Sequence, residues 1–413
     1  MTPLPLGAAV RVFLCFAVAY FFSALVRAVT ATLAPQFSAE LGLTAGDLGL
    51  LAGAYFLGFA STQLPLGRAL DRLGPRKVLV FLLGVAVLGC IGFAMARSFV
   101  TLTLARALIG VGVSACLMAP LTTFRRNFGE QGQLRANSWM LMTGSMGMVA
   151  STLPVQWLQP LLGWRGLFWA LAGAFALALV AIRLWVPTDE PTRELAGASN
   201  PAKGYRDVLR HPVFVRLMPL GFFFYGGLIA VQSLWAGPWL VQVCGWTPAR
   251  AAQGLFTINV AMLLSFLSWG FVVPRLYARG WTAQRLIARL APLALLGLAL
   301  ALALGPRATT WVWVMFCVGT SVVSLSQPAV GLAFTRELAG RALSAFNLVV
   351  FLGVFVLQWG IGMAIDLLRT IGWDTVSAYR GAFALFTGGC LLSYLWFLCR
   401  SDSVTAPKTS PPG

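Results

Sequence analysis

Gly67-Arg68-Ala69-Leu70-Asp71-Arg72-Leu73-Gly74-Pro75-Arg76-Lys77 lies between two long apolar runs, 46–66 and 78–96. A hydrophilic link this short, joining two membrane-length segments, has little to fold against except the helix ends. Gly67 allows two helices to approach closely, and Gly74-Pro75 makes a turn that no helix crosses. Asp71 can cap or pair locally, while Arg68, Arg72, Arg76 and Lys77 suit the anionic cytoplasmic leaflet of a bilayer.

The rest of the chain agrees with a membrane setting. Of its 413 residues 59% are hydrophobic and only 10% charged, with a mean hydropathy of +0.82. A soluble domain could not cover so much apolar surface. The net charge of +18 raises nucleic acid as a partner, but the bases recur at every second loop instead of clustering in one domain. No nucleic-acid partner is expected. The seven cysteines fall inside apolar runs or, for Cys244, just past the end of one, with no CxxC pair, and are read as small buried hydrophobes. Zinc spacings and nucleotide-binding motifs are missing too, so neither metal nor cofactor is expected.

A spanning helix needs roughly 20 apolar residues. Cutting at polar, charged and Pro/Gly breaks gives runs at 9–34, 46–66, 78–96, 99–124, 136–160, 165–186, 213–241, 250–273, 283–304, 309–334, 342–367 and 379–399. The first is too long for a signal segment and is read as a retained helix. One long hydrophilic stretch, 187–212, divides the runs into two sets of six. The expected organisation is a bundle over 1–186, a cytoplasmic linker over 187–212, a second bundle over 213–400 and a short tail over 401–413. Of the Lys and Arg residues, Arg97, Arg165, Arg250, Arg307, Arg369 and Arg380 fall on one side. Arg27 and Arg106 lie within runs, and all the others sit on the amino-terminal side. The positive-inside rule then places both termini in the cytoplasm. The halves also echo each other: Arg135-Ala-Asn-Ser and Arg341-Ala-Leu-Ser open the fifth and eleventh runs, and Gly270 to Leu276 repeats the 67–77 loop with Pro274 where the acid stood.

The pattern G-x-x-x-D-R-x-G-x-R-K resembles the loop between helices two and three of the major facilitator superfamily, and Arg106-x-x-x-Gly110-x-Gly112 is similar to that family's helix-four motif. The resemblance implies an all-α integral membrane fold of twelve helices in two pseudo-symmetric six-helix bundles, working by alternating access. It also implies gating or conformational roles for Gly67, Asp71, Arg72, Gly74, Arg76, Lys77, Gly110 and Gly112, with Asp71, Arg72 and Arg76 latching the cytoplasmic side. Leu25-Val26-Arg27, with Pro35 eight residues on, resembles helix one of organophosphate:phosphate antiporters and their organic-anion relatives, whose arginine binds the anionic group. Those antiporters carry a second arginine in helix seven. Here that helix offers only Arg216 near its cytoplasmic end, with Tyr225, Gln232, Ser233, Trp235 and Trp239 at the expected level.

An ionisable group inside a spanning helix is a functional candidate because burying it in lipid is costly. Arg27 and Arg106 qualify, at matching depths, and a guanidinium binds a carboxylate in a fork. No acid falls mid-helix; Asp366 stands near the outer end of the eleventh run, and the lone His211 reads as a solvated linker residue. A cation-drug exporter ordinarily keeps a carboxylate in its cavity, so cationic efflux is disfavoured. Among intramembrane amides, Asn259, Gln327 and Asn347 are candidate substrate contacts, and Gln327-Pro328 is expected to break its helix at a gate. The reading is a monomeric carrier of the bacterial inner membrane. It takes up a small organic anion, a carboxylate, with protons as coupling ion, held by Arg27 with Arg106, Tyr225, Gln232 and Trp235. Drug or metabolite efflux on the same fold, and a ligand-binding receptor, stand as alternatives.

Overall fold

A computed structural model describes residues 5–187 and 201–400. Asp189, Glu190, Pro191, Arg193 and Glu194 of the expected linker, and the tail 401–413, lie outside the described residues. The spanning elements are α1 (Leu6–Leu41), α2 (Ala45–Leu73), α3 (Pro75–Met95), α4 (Phe99–Asn127), α5 (Glu130–Ala150, continued by 153–162) and α6 (164–185). The second set is α7 (Pro212–Val243), α8 (Pro248–Ala278), α9 (Ala283–Leu304), α10 (Thr310–Leu332), α11 (Arg336–Thr370) and α12 (Thr375–Cys399). Ten of these regions are apolar and long enough to cross a membrane unaided; α2 and α5 fall short. Both are rich in glycine and polar side chains, and both pack against other helices. The expected twelve-helix, all-α membrane fold is what the chain adopts.

The 67–77 segment is more helical than a loop. Thr44 and Asp47 start α2 with reciprocal side-chain-to-backbone hydrogen bonds of 3.1 Å each. The helix then runs through Gly67 and Asp71 to Leu73, and α3 begins at Pro75. The connection is Gly74 alone, at φ +82°, a conformation that favours glycine. Gly163, at φ +63°, makes the corresponding sharp turn between α5 and α6. The break near Gln327-Pro328 comes earlier than expected: α10 tightens to a 3₁₀ turn over Val322–Leu325, and Pro328 sits inside the short helix that follows. Helix α4 breaks similarly between Val113 and Met118. His211 is no solvated loop residue either. It is half-buried, its Nδ1 accepts the Val213 amide at the start of α7, and its ring lies 4.4 Å from Phe334.

Within each half, small residues set helix spacing. A methyl group at Gly110 would fall 1.9 Å from the Tyr55 carbonyl on α2, and one at Gly112 would fall 2.2 Å from the Ala86 amide on α3. Gly297 and Gly319 do the same between α9 and α10. The halves meet where α1 crosses α7, with Gly237 tight against the Ala31 carbonyl, and along α2 and α11. We call the end holding 67–77 the basic side and the other the far side. The closest α2–α11 contacts run from Ala45 to Gly53 at the far side. At the basic end Gly67, Arg68, Asp71, Arg72 and Lys77 are exposed, and a methyl group at Gly67 would meet nothing within 4 Å. Helix α8 agrees: its buried residues lie between Ala251 and Met262, while Leu264, Phe266, Leu267 and Phe271 are exposed. The two halves are thus in closest contact at the far side.

Candidate functional site

Helix α1 carries Tyr20, Ser23, Arg27 and Thr30 at spacings of three, four and three residues, a repeat that lines one helical face. Behind that face stands Arg106 of α4, 1% exposed. Its guanidinium donates to the Val26 carbonyl at 2.8 Å, the Arg27 carbonyl at 3.2 Å and the Thr30 hydroxyl at 2.6 Å. The Tyr55 ring of α2 lies under it at 5.0 Å, where a cation is attracted to the aromatic face. Gly110, one turn on, lets α4 approach Tyr55 closely enough for this. Arg106 is therefore occupied by the α1 backbone on the way to its neighbour.

Arg27 is more accessible. Its side chain is half-buried and makes no ion pair among the described residues; its buried Nε, like that of Arg106, has no partner, and Tyr20 is within hydrogen-bonding reach. The charge lies within electrostatic reach of three phenols: Tyr20 of α1, Tyr55 of α2 and Tyr225 of α7. Tyr20 is seated by Gly144 of α5, where a methyl group would fall 2.4 Å from its ring. Ser23 meets the Tyr55 hydroxyl beside it. Tyr20 and Tyr225, like Arg27, keep part of their surface accessible, whereas Ala24, Val26 and Ala28 are buried. The geometry is one partly accessible cation near Tyr20 of α1 and Tyr225 of α7, whose rings are partly accessible too, with the buried Tyr55 behind it. It can take a planar anion by charge and flank its body with apolar faces.

The other expected contacts are distributed elsewhere. Helix α7 is wound through three π-turns, at Gly221–Tyr225, Val231–Trp235 and Trp239–Val243, a local widening that re-aims side chains. Gln232 donates to the Asn259 side-chain oxygen at 2.8 Å, and Asn259 donates to the Leu255 carbonyl at 3.0 Å, so these two amides hold α7 to α8. Trp235 is fully buried, its indole N–H bonded to the Gln358 carbonyl at 3.1 Å. Gln327 donates to Asn347, joining α10 to α11. Only Tyr225 of the second-half candidates lies by Arg27. Tyr20, Tyr55 and Ser23 were not singled out by the sequence; the spacing of Tyr20, Ser23 and Arg27 on one helical face is the signal that could have found two of them.

At the basic side Asp71 lies 3.8 Å from Arg126 of α4, and Arg76 donates to the Arg183 carbonyl of α6. Both contacts stay within the first half. Arg72 and Lys77 are exposed. Arg216 is buried in α7, donating to the Phe397 carbonyl and to Gln284, far from Arg27 along its helix.

The family model described as Major Facilitator Superfamily matches residues 16–358. The chain is 27% identical over 239 residues to the inner membrane transport protein YajR of Escherichia coli, covering 56% of this chain and 49% of that protein. It is 30% identical over 193 residues to a chloramphenicol resistance protein of Streptomyces lividans, covering 46% and 48%. It is also 30% identical over 190 residues to a gallate transporter of Pseudomonas putida, covering 46% and 41%. The chain thus spans about half the length of these curated relatives. Among solved structures, an inward-facing bacterial homologue of the human lysosomal transporter Spinster superposes with a TM-score of 0.77 at 16% identity, covering 96% of this chain and 98% of that one. That likeness is one of fold.

Proposed function

We propose, from the premise that the chain belongs to the Major Facilitator Superfamily, that it carries a small organic anion across the membrane by alternating access, with Arg27 as the substrate-binding cation. A membrane transporter, not an enzyme, is what the family establishes; the anion is our reading. It is carried by a single observation, the half-accessible Arg27 with an unpartnered Nε at the meeting of the halves. A lone guanidinium among phenols suits a monocarboxylate better than a phosphate ester. The two accessible hydroxyl-bearing rings, Tyr20 and Tyr225, favour an aromatic, hydroxylated acid, and the name of the gallate transporter supports this class. Arg106 positions α1 instead of touching substrate. Gln232, Asn259, Trp235, Gln327 and Asn347 hold the second half in shape around Tyr225.

In this reading the basic side is cytoplasmic, the bundles are 1–186 and 213–400, and the close contact of the halves at the far side makes this the state open to the cytoplasm. Uptake driven by protons in a monomer completes the proposal. The chloramphenicol resistance relative supports a second reading, export of a neutral aromatic drug, which would use the same rings without Arg27.

The test is a thermal-shift panel on the purified protein and on Arg27→Ala, using benzoate, gallate, glycerol 3-phosphate and chloramphenicol. Ligand at about 100 times Kd stabilises the native state by about 2.7 kcal/mol. A carboxylate that stabilises the wild type and not the variant supports the reading. Stabilisation by chloramphenicol alone, equal in both proteins, replaces it with efflux.

A further inference from the structure

The first four amides of a helix have no partner within it. In α2 they are shared between the two halves of the molecule. Thr44 accepts from Asp47 N, as described, but Ala45 and Gly46 donate to a residue more than 300 positions away. Oδ1 of Asp366, one turn before the end of α11, accepts the Ala45 amide at 3.1 Å, and Oδ2 accepts the Gly46 amide at 2.7 Å. A carboxylate bonded at both oxygens also sits at the positive end of the α2 dipole. The surrounding backbone is shaped for this contact. A methyl group at Gly46 would fall 2.7 Å from Oδ2, one at Gly362 would fall 2.3 Å from the Ala45 carbonyl, and one at Gly49 would fall 2.3 Å from the Gln358 carbonyl. Helices α2 and α11 therefore close the far side through three glycines and one acid.

We propose that Asp366 is the far-side latch: its carboxylate cap on α2 holds the two halves together there and must be given up when that side opens. This rests on alternating access, not on the identity of the substrate. The two bonds join the ends of α2 and α11 that separate when the far side opens, and neither belongs to the fold of one half alone. At the basic end of the same helix, Asp71 lies 3.8 Å from Arg126 of its own half, and its side chain is 70% exposed. The far end is tied across the halves; among the described residues, Asp71 makes no such tie.

The experiment uses the full chain in lipid nanodiscs, with Cys244 and Cys399 replaced by Ser. Spin labels at Arg97→Cys and Arg307→Cys report the far-side separation of the halves, and a second pair at Arg68→Cys and Arg275→Cys reports the basic side. All four positions are exposed. Asp366→Asn keeps the shape but offers one acceptor oxygen to two amides. We expect a longer far-side population and a shorter basic-side one relative to wild type. Gly46→Ala, whose methyl displaces the carboxylate, gives the same shift, and the double variant shifts no further than either single one. Unchanged distances in either variant, with a cooperative thermal transition showing that it is folded, overturn the latch. Binding of benzoate or gallate, read by thermal shift in Asp366→Asn, survives in either case. A failure of the anion reading and a failure of the latch are thus told apart.

Discussion

The first half of the molecule supplies charge and the second supplies neutral amides. Around Arg27 and Arg106, α1 and α4 place two guanidiniums, and α1 and α2 add Tyr20 and Tyr55. Facing them, three side-chain pairs tie α7, α8, α10 and α11 together: Gln232 with Asn259, Ser233 with Gln358 at 3.0 Å, Gln327 with Asn347. A satisfied amide pair does not recruit an ion. It holds helices together, at about 0.6 kcal/mol on average for such bonds inside membranes. In the proposed site, then, the binding charge is not divided between the bundles: the first half would hold the anion and the second would wall it.

The contrast can be broken most sharply at Arg27. Arg27→Ala is expected to weaken carboxylate binding about 100-fold, since a hydrogen-bonded charge contributes about 1.5–3 kcal/mol. Isothermal titration measures this, and equal affinity in the two proteins would end the one-sided picture. Arg106→Met strips three hydrogen bonds from the α1 backbone and Thr30. We expect a loss of about 2 kcal/mol of stability in a denaturant titration together with weakened anion binding, because Arg27 loses its fixed backbone. Full stability in that variant would show that the buried cation is dispensable. Tyr225→Phe tests the one point where the second half reaches the cation. It should weaken gallate about fivefold and leave benzoate unchanged, a difference of about 1 kcal/mol. Equal effects on both acids would mean that the hydroxyl does not read the ligand. The smallest effect is expected for Gln232→Leu and Asn259→Leu, whose double-mutant cycle should return a coupling of about 0.6 kcal/mol with anion binding intact. Lost binding there would move those amides into the site.

Most of the helical architecture was legible from hydrophobic run lengths, because the bilayer fixes element length. The residues within helices were harder. Arg27 and Arg106 announce themselves as costly charges, yet nothing in the sequence alone distinguishes the one bonded to backbone from the one left open. That difference is made by which helix crosses which, at Gly110 against Tyr55. Tyr20 and Tyr55 are unremarkable in apolar runs and gain meaning only beside a guanidinium. Asp366 looked like an ordinary end-of-helix acid, and its partners lie across the whole chain in sequence. The π-turns of α7 left no sequence mark that we recognise.

Helices α2 and α5 carry a further consequence, for how the protein is made. Both are less uniformly apolar over their length than the other ten. Helix α2 buries Gly58 against α4 and Gly46, Gly49 and Gly53 against α11. During synthesis α4 emerges soon afterwards, whereas α11 emerges close to the end of the chain. Until then the glycines of α2 that face α11 lack their partner helix. The α2–α11 seam is therefore among the last contacts the ribosome allows the chain to complete.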